Sequence, residues 1–401
     1  MKNITKTKLF IGAVSLAVAS STFLAGGVAD ALNGQQAGTQ PPKLIIKKVL
    51  NLPESGVTTP QETFKFKFEK HSKNGKTEKK DDCPEIKEQE IKYTNNDNTD
   101  GDTNKEGKQI IKGTTDALTG VTFNETGQYT YTVKETTNST ADMTYSKAEY
   151  LISIFTKKDS TGNVVVSHIQ IKKEKDDKGT VENNSAKKEY KPGSEADKYK
   201  DNTFEFGNNY DKKDGNDNPT GNTIQDKDKK GFVLKKEVKG TNSNQDEKFK
   251  FKIKAEKPKG SNSTDTKFEY YIVDKAGNKG TKKEETYGKD FEVELKHSER
   301  IVFGKILLGS KVSAQEIFDG GYTQSVANTS KMNGANVSTV DTLKNGMVIG
   351  DSGDNIVNFE NTQQSATGIL LNNLPFIALI LVAGAGIVFF IKNRKKAELE
   401  A

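Results

Sequence analysis

The sequence has no tryptophan, one cysteine, three histidines and nine prolines in 401 residues. Each shortage excludes something. One thiol, Cys83, cannot build a disulfide framework, and His71, His168 and His297 are scattered, so no zinc-type ligand set can be assembled. No metal and no cofactor is therefore expected. Cys83 sits in "DDCPEI" with no histidine nearby and reads as an inert loop residue rather than an activated nucleophile. The chain offers no Ser-His-Asp setting and no long insertion to hold an active site, so it is not expected to be an enzyme acting on an external substrate. Its 61 basic and 55 acidic residues are interspersed, with no dense basic block carrying aromatics, which argues against nucleic acid as a partner.

Long hydrophobic runs are confined to the two ends. Lys2, Lys6 and Lys8 precede "LFIGAVSLAVA", and Ala29 and Ala31 supply a small-residue cleavage site, so residues 1–31 read as a secretory signal peptide. Residues 374–391, "LPFIALILVAGAGIVFFI", are apolar over the length needed to cross a ~30 Å hydrocarbon core as a helix. The basic tail 392–401, opening with "KNRKK", follows as a cytoplasmic stop. Just before the span stands the polar pentapeptide "QSATG", residues 364–368.

Between the ends the chain alternates short strands with Gly/Asn/Asp-rich loops, the pattern of an all-β sandwich or barrel. "TFKFKFE" (63–69), "QYTYTVKE" (128–135), "NVVVSHIQI" (163–171), "KFKFKIKAE" (248–256) and "FEVELKH" (291–297) are the clearest strands. Residues 211–231 are almost free of apolar side chains and read as a linker between two domains, 41–210 and 232–362. The halves echo each other. "LIIKKVL" (44–50) matches "FVLKKEV" (232–238), each half later carries a strand ending in Glu, and each closes on Phe-x-Asn.

Residues two apart on a strand share a face. Lys48 therefore falls with Leu44, Ile46 and Leu50, and Lys236 with Phe232, Leu234 and Val238. Glu135 joins Tyr129, Tyr131 and Val133, and Glu316 joins Val312 and Ala314. Asn208 joins Phe204, Phe206 and Tyr210, and Asn361 joins Val357 and Phe359. Singly, each polar residue has an ordinary explanation as a snorkelling lysine, a loop cap or a turn residue. Together, three unpaired polar groups on the inner faces of each half would be costly, and a reaction among them would remove that cost.

The order Lys, Glu, Asn, with "YTYTVKE" and the closing Phe-x-Asn strings, resembles Gram-positive pilin domains that crosslink themselves through Lys-Asn isopeptide bonds. The first half resembles the Spy-pilin-type domain of streptococcal T-antigen (FctA) pilins, and the second a Cna B-type domain. The fold expected is all-β, two tandem immunoglobulin-like/Cna B-like sandwiches. The resemblance implies crosslinks Lys48–Asn208 and Lys236–Asn361, promoted by Glu135 and Glu316. A buried lysine can fall from a pKa of ~10.4 to roughly 5–6 and become nucleophilic, while a buried glutamic acid stays protonated and hydrogen-bonds the asparagine carbonyl. Ammonia leaves and a neutral amide remains. This is maturation, not turnover.

The three-part C-terminus resembles a cell-wall sorting signal of the LPxTG class, with Ala366 where the T-antigen type has Pro. It implies cleavage by a sortase between Thr367 and Gly368 and transfer to an amine. Lys200, Lys198 and Lys191, in the loop before the first domain's last strand, are the candidate acceptors on a neighbouring subunit. The partners so implied are a sortase, identical subunits, minor pilins and a peptidoglycan precursor; a host surface ligand is not identifiable. The expected function is that of a major pilus shaft subunit, secreted and wall-anchored after transient membrane anchoring. The alternative is a monomeric wall-anchored adhesin or a minor tip or base pilin using the same domains as a stalk.

Overall fold

A computed structural model describes residues 41–97, 107–136, 139–183, 185–241, 243–317, 320–363 and 374–399. The expected signal peptide, 1–31, and the sorting pentapeptide with Thr367 and Gly368 lie outside the described residues.

The first part of the chain supplies β1 (Lys47–Leu52), β2 (Glu62–Lys73), β3 (Gln89–Tyr93), β4 (Lys108–Gly113), β5 (Gly127–Thr136), β6 (Met143–Thr144), β7 (Glu149–Lys158), β8 (Val164–Lys175), β9 (Lys188–Glu189) and β10 (Glu205–Tyr210). They form two sheets, β4-β1-β10-β6 and β3-β2-β5-β7-β8-β9. Strand β2 shows why they face each other. Its Phe64, Phe66 and Phe68 are buried while Lys67 and Glu69 are exposed, so one apolar face must be covered. Leu44, Ile46 and Leu50 cover it from the other sheet, with Phe204 and Phe206.

The same plan recurs with β11 (Lys213–Asp214), β12 (Val233–Lys239), β13 (Phe249–Glu256), β14 (Lys267–Val273), β15 (Lys283–Thr286), β16 (Asp290–Leu295), β17 (Arg300–Phe303), β18 (Ile306–Leu307), β19 (Lys311–Ile317), β20 (Tyr322–Val326), β21 (Lys331–Met332), β22 (Ala335–Asn336), β23 (Met347–Val348) and β24 (Ile356–Gln363). The larger sheet runs β15-β14-β17-β12-β24-β21-β22 with β20 also on β24, and the smaller runs β16-β13-β19-β23. One short helix, α1 (Val340–Lys344), precedes β23. Ahead of the C-terminal helix the described residues are thus all-β, built as two sandwiches.

In the first sandwich β1 pairs in parallel with the last strand, β10, and in the second β12, the first strand of its main sheet, pairs in parallel with β24. Lys48 lies opposite Phe206 and Leu50 opposite Asn208; Lys236 lies opposite Phe359 and Val238 opposite Asn361. Parallel neighbours so far apart in sequence close the domain at its two ends.

Segment 211–231, a linker by composition, is ordered. Strand β11 pairs with β18, Asn216 N–H donates to the Phe303 carbonyl at 3.2 Å, and Gly221 N–H donates to Gly277 at 3.0 Å. Gly215, at φ +132°, runs so close to β17 that a Cβ would land 1.4 Å from the Gly304 carbonyl oxygen. Asp228, fully buried, accepts from Asn216 Nδ2 at 2.6 Å and from the Gln225 N–H at 3.0 Å. Buried Arg300 lies 3.7 Å from Asp228 and donates to the Gly221 carbonyl at 2.8 Å. Backbone pairing and one buried charge pair hold this strap, so its lack of apolar residues did not announce a free linker.

Asp351 joins the two sandwiches. Its backbone N–H donates to Gly56 at 3.0 Å, and its carboxylate accepts from Thr58 N–H at 3.0 Å and from Lys212 Nζ at 2.8 Å.

Cys83 sits in a loop as expected, with its side chain packed into the first core: it is buried, and its Sγ lies 3.4 Å from the Ser72 carbonyl. Burial pushes the thiol up, away from the reactive thiolate. At the C-terminus, α2 (Leu374–Leu399) contains a 19-residue apolar stretch, Leu374–Lys392, of mean hydropathy 2.7 whose side chains are unburied all round. Such a helix fits a membrane anchor.

Candidate functional site: two buried Lys-Glu-Asn clusters

Alternation along β1 puts Lys48 on the core face, and its pairing with β10 aims the stem along Phe206 toward Asn208. Glu135 arrives from the opposite sheet, where it lies across from Phe66. The three side chains meet in the first core. Lys48 Nζ donates to Glu135 Oε2 at 2.6 Å, and Asn208 Nδ2 donates to Glu135 Oε1 at 2.6 Å. Lys48 and Asn208 are wholly buried, and the Glu135 carboxylate is sealed from solvent. Lys48 Nζ stands 4.4 Å over the Phe64 ring, and the Phe66 and Phe206 rings pack at 5.0 Å. The asparagine on an aromatic face is therefore one corner of a dry pocket.

Burial lowers the Lys48 amine to about 8, against the opposing pull of Glu135, and burial raises the Glu135 carboxyl. At pH 7 about one amine in ten is then neutral, where an ordinary lysine offers roughly one in 10³. The carboxylate touches both nitrogens of the pair, the amine that would attack and the amide nitrogen that would leave.

The second sandwich repeats the arrangement. Lys236 Nζ donates to Glu316 Oε2 at 2.9 Å, and Asn361 Nδ2 donates to Glu316 Oε1 at 2.6 Å. All three are buried, Glu316 faces Phe251 across β13, and Lys236 Nζ stands 4.2 Å over the Phe249 ring. Burial lowers the Lys236 amine to about 8 as well.

The chemistry read from sequence placed the glutamic acid on the asparagine carbonyl. In the first cluster the amide is turned the other way, because the backbone N–H of Ser146 donates to Asn208 Oδ1 at 2.7 Å, and only an oxygen can accept there. Glu135 consequently faces the amide nitrogen. In the second cluster Asn361 Oδ1 is buried without a hydrogen-bond partner among the described residues. Ser146 carried no sequence signal: it contributes a backbone group, from a loop far along the chain.

The candidate acceptor lysines fall on one loop. Lys191, Lys198 and Lys200 are exposed, while Tyr199 between the latter two is buried. Lys198 and Tyr199 both have φ 55°, a sparsely populated conformation for such side chains, held by the Tyr199 N–H donating to Ser194 at 2.7 Å. The Tyr199 ring fills the space a Cβ on Gly113 would need, so the loop is pinned to β4 with both neighbours outward.

Residues 230–363 match a family described as "Domain of unknown function (DUF7601)". No curated protein matches the chain. Among solved structures, the major pilin from Streptococcus pyogenes is similar at 17% identity and a TM-score of 0.32, over 81% of this chain and 99% of that one. The major pilin T3.2 of the same species is similar at 19% identity and a TM-score of 0.32, over 81% and 99%. A pilus-presented adhesin is similar at 11% identity and a TM-score of 0.26, over 79% and 100%.

Proposed function

We propose that the protein is a structural subunit of a covalently polymerised cell-surface pilus, hardened by two self-made Lys-Asn amide bonds. The observation that carries this is the pair of sealed clusters, each linking a domain's first strand to its last across a carboxylate. A buried Lys-Glu pair is at best a neutral contribution to stability, since desolvation offsets attraction. Two such pairs, each with a buried asparagine amide on the same carboxylate, have a purpose as reactants.

Neutral Lys48 Nζ attacks Asn208 Cγ, the new C–N bond forms, and the carbonyl electrons move onto Oδ1. Glu135 receives a proton from Nζ and hands it to Nδ2, the old C–N bond breaks, and ammonia leaves. Lys236, Glu316 and Asn361 do the same. Each product is a neutral amide that can no longer be protonated, so the buried lysine charge is gone, and each glutamate leaves the cycle as the carboxylate that entered it.

Because the amine must be neutral, crosslinking is expected to speed up about tenfold per pH unit below about 8 and to level off above it. The same depressed lysine fixes a sign for the unreacted chain. The unfolded state binds more protons between about 8 and ~10.4, so stability rises with pH across that window. Full chain recovered in denaturant, refolded into detergent at set pH and quenched over time would report the rate by ammonia lost. A rate flat from pH 6 to 8 would contradict the neutral-amine route.

Sorting follows from the C-terminal layout: a sortase would cleave after Thr367 and pass the acyl group to a lysine of the next subunit. Lys200, exposed beside the pinned Tyr199, is the acceptor proposed first. Wall extracts should show a ladder of detergent-resistant polymers that Lys200→Ala collapses to monomer. A single monomer band in the wild type would instead favour a monomeric wall-anchored stalk.

A further inference from the structure

Asn208 differs from Asn361 in one respect that bears on the reaction. Its carbonyl oxygen is not free: Ser146 N–H donates to it at 2.7 Å inside the core. The Ser146 loop is itself held. Ser146 Oγ donates to Asp177 Oδ1 at 2.6 Å, the Gly207 N–H donates to that same oxygen at 2.9 Å, and the Lys147 N–H donates to the Asp177 carbonyl at 2.9 Å. Gly207 immediately precedes Asn208 in β10. One carboxylate thus ties the donor loop and the strand bearing the electrophile together.

Given the self-crosslinking reading above, we propose that the Ser146 N–H is an oxyanion donor for the first bond, and that Asp177 is the positioning residue that holds it in place. When Nζ attacks Cγ, negative charge collects on Oδ1, and the N–H already aimed at that atom stabilises the tetrahedral intermediate more than the neutral amide. Donors in dry sites at ~2.7–3.1 Å are worth most, because they need no reorganisation as charge appears. The charge returns to the C=O bond when Nδ2 departs as ammonia, so the donor is unchanged at the end. A buried carbonyl also wants a partner for structural reasons alone. Yet Asn361 Oδ1, equally buried, has none among the described residues, so the fold does not demand one.

Full-length chain refolded from denaturant into detergent, quenched over time and digested, would give separate rates for the Lys48–Asn208 and Lys236–Asn361 crosslinked peptides. Ser146→Pro deletes the N–H and is expected to slow the first bond by ~10²–10³-fold while the second keeps its rate. Asp177→Ala, which frees the loop, is expected to slow the first bond by up to ~10²-fold. Asp177→Asn keeps an oxygen for both donors and should restore most of that loss, although it removes a charge that acts on Lys48 and Glu135. Should Ser146→Pro crosslink as fast as wild type, the oxyanion role is overturned. Should Ser146→Pro fail to fold, the Asp177 pair decides: equal slowing by Ala and Asn means charge rather than positioning and overturns the assignment. A wild-type chain that folds without any Lys48–Asn208 peptide removes the crosslinking reading itself, a result distinct from either of these.

Discussion

Glu135→Ala is expected to leave Lys48 and Asn208 unjoined, so the chain retains one ammonia and the corresponding crosslinked peptide disappears. The effect on stability should be among the largest any single substitution produces here. Losing a covalent link that closes a loop of more than 100 residues costs about 5 kcal/mol, by analogy with a disulfide on the chain-entropy model. The amine of Lys48 then lies buried with no carboxylate, a situation that costs about 3–5 kcal/mol when one partner of a buried pair is removed. Together these approach the ~5–15 kcal/mol that holds an ordinary domain folded, so the first sandwich should become marginal. Glu135→Gln separates the two parts. It still accepts from Asn208 Nδ2 but cannot carry a proton, so the crosslink should be lost with a smaller fall in stability. Glu316→Ala should act in the same way on the second sandwich, whose carboxylate accepts from the same two nitrogens. Intact mass and denaturant midpoints measure both effects, and undiminished ammonia loss in Glu135→Ala would sink the role given to the carboxylate.

Under mechanical load the wild-type domains are expected not to lengthen. Each first strand lies parallel to the last, so a pull on the two ends shears the β1–β10 and β12–β24 ladders directly. Hydrogen bonds alone would yield, and the chain between Lys48 and Asn208 would then extend by roughly 500 Å at ~3.3–3.6 Å per residue. The second sandwich would add roughly 400 Å between Lys236 and Asn361 on the same basis. With amide bonds in place, force passes from Lys48 to Asn208 through a covalent bond and those lengths stay hidden. Single-molecule pulling on the Glu135→Ala, Glu316→Ala double variant should reveal both steps. Steps of that size in the wild type would show that the load path is not covalent.

The strap and the Asp351 junction set what lies between the two sandwiches. Residues 211–231 are pinned by Asp228 and Arg300, and Asp351 ties the 56–58 loop and Lys212 to the second sandwich. A join of this kind passes tension along a defined route rather than through slack chain.

Much of this was legible in one dimension. Alternation with period two put Lys48, Glu135, Asn208, Lys236, Glu316 and Asn361 on inner faces, and all six are buried. Even "SKVSAQE", poor in aromatics, obeyed the rule: Val312, Ala314 and Glu316 all point inward. The linker did not follow the same logic, because a segment without apolar residues can still be held by backbone pairing to β18 and by a charge pair with Arg300, 72 positions beyond Asp228. Cys83 is the loop residue its sequence suggested, and only its burial against the first core was not legible.

The sequence by itself determined the all-β pattern, the faces on which the six clustered residues lie, and the apolar span that fits an anchor. Side-chain parity is a local property of a strand, and no partner is needed to read it. Only the tertiary structure decided which way the Asn208 amide points, because that depends on a Ser146 backbone N–H whose chemistry is the same for every residue type but proline. Position in three dimensions, set by Asp177 and Gly207, turns that ordinary group into a specific one.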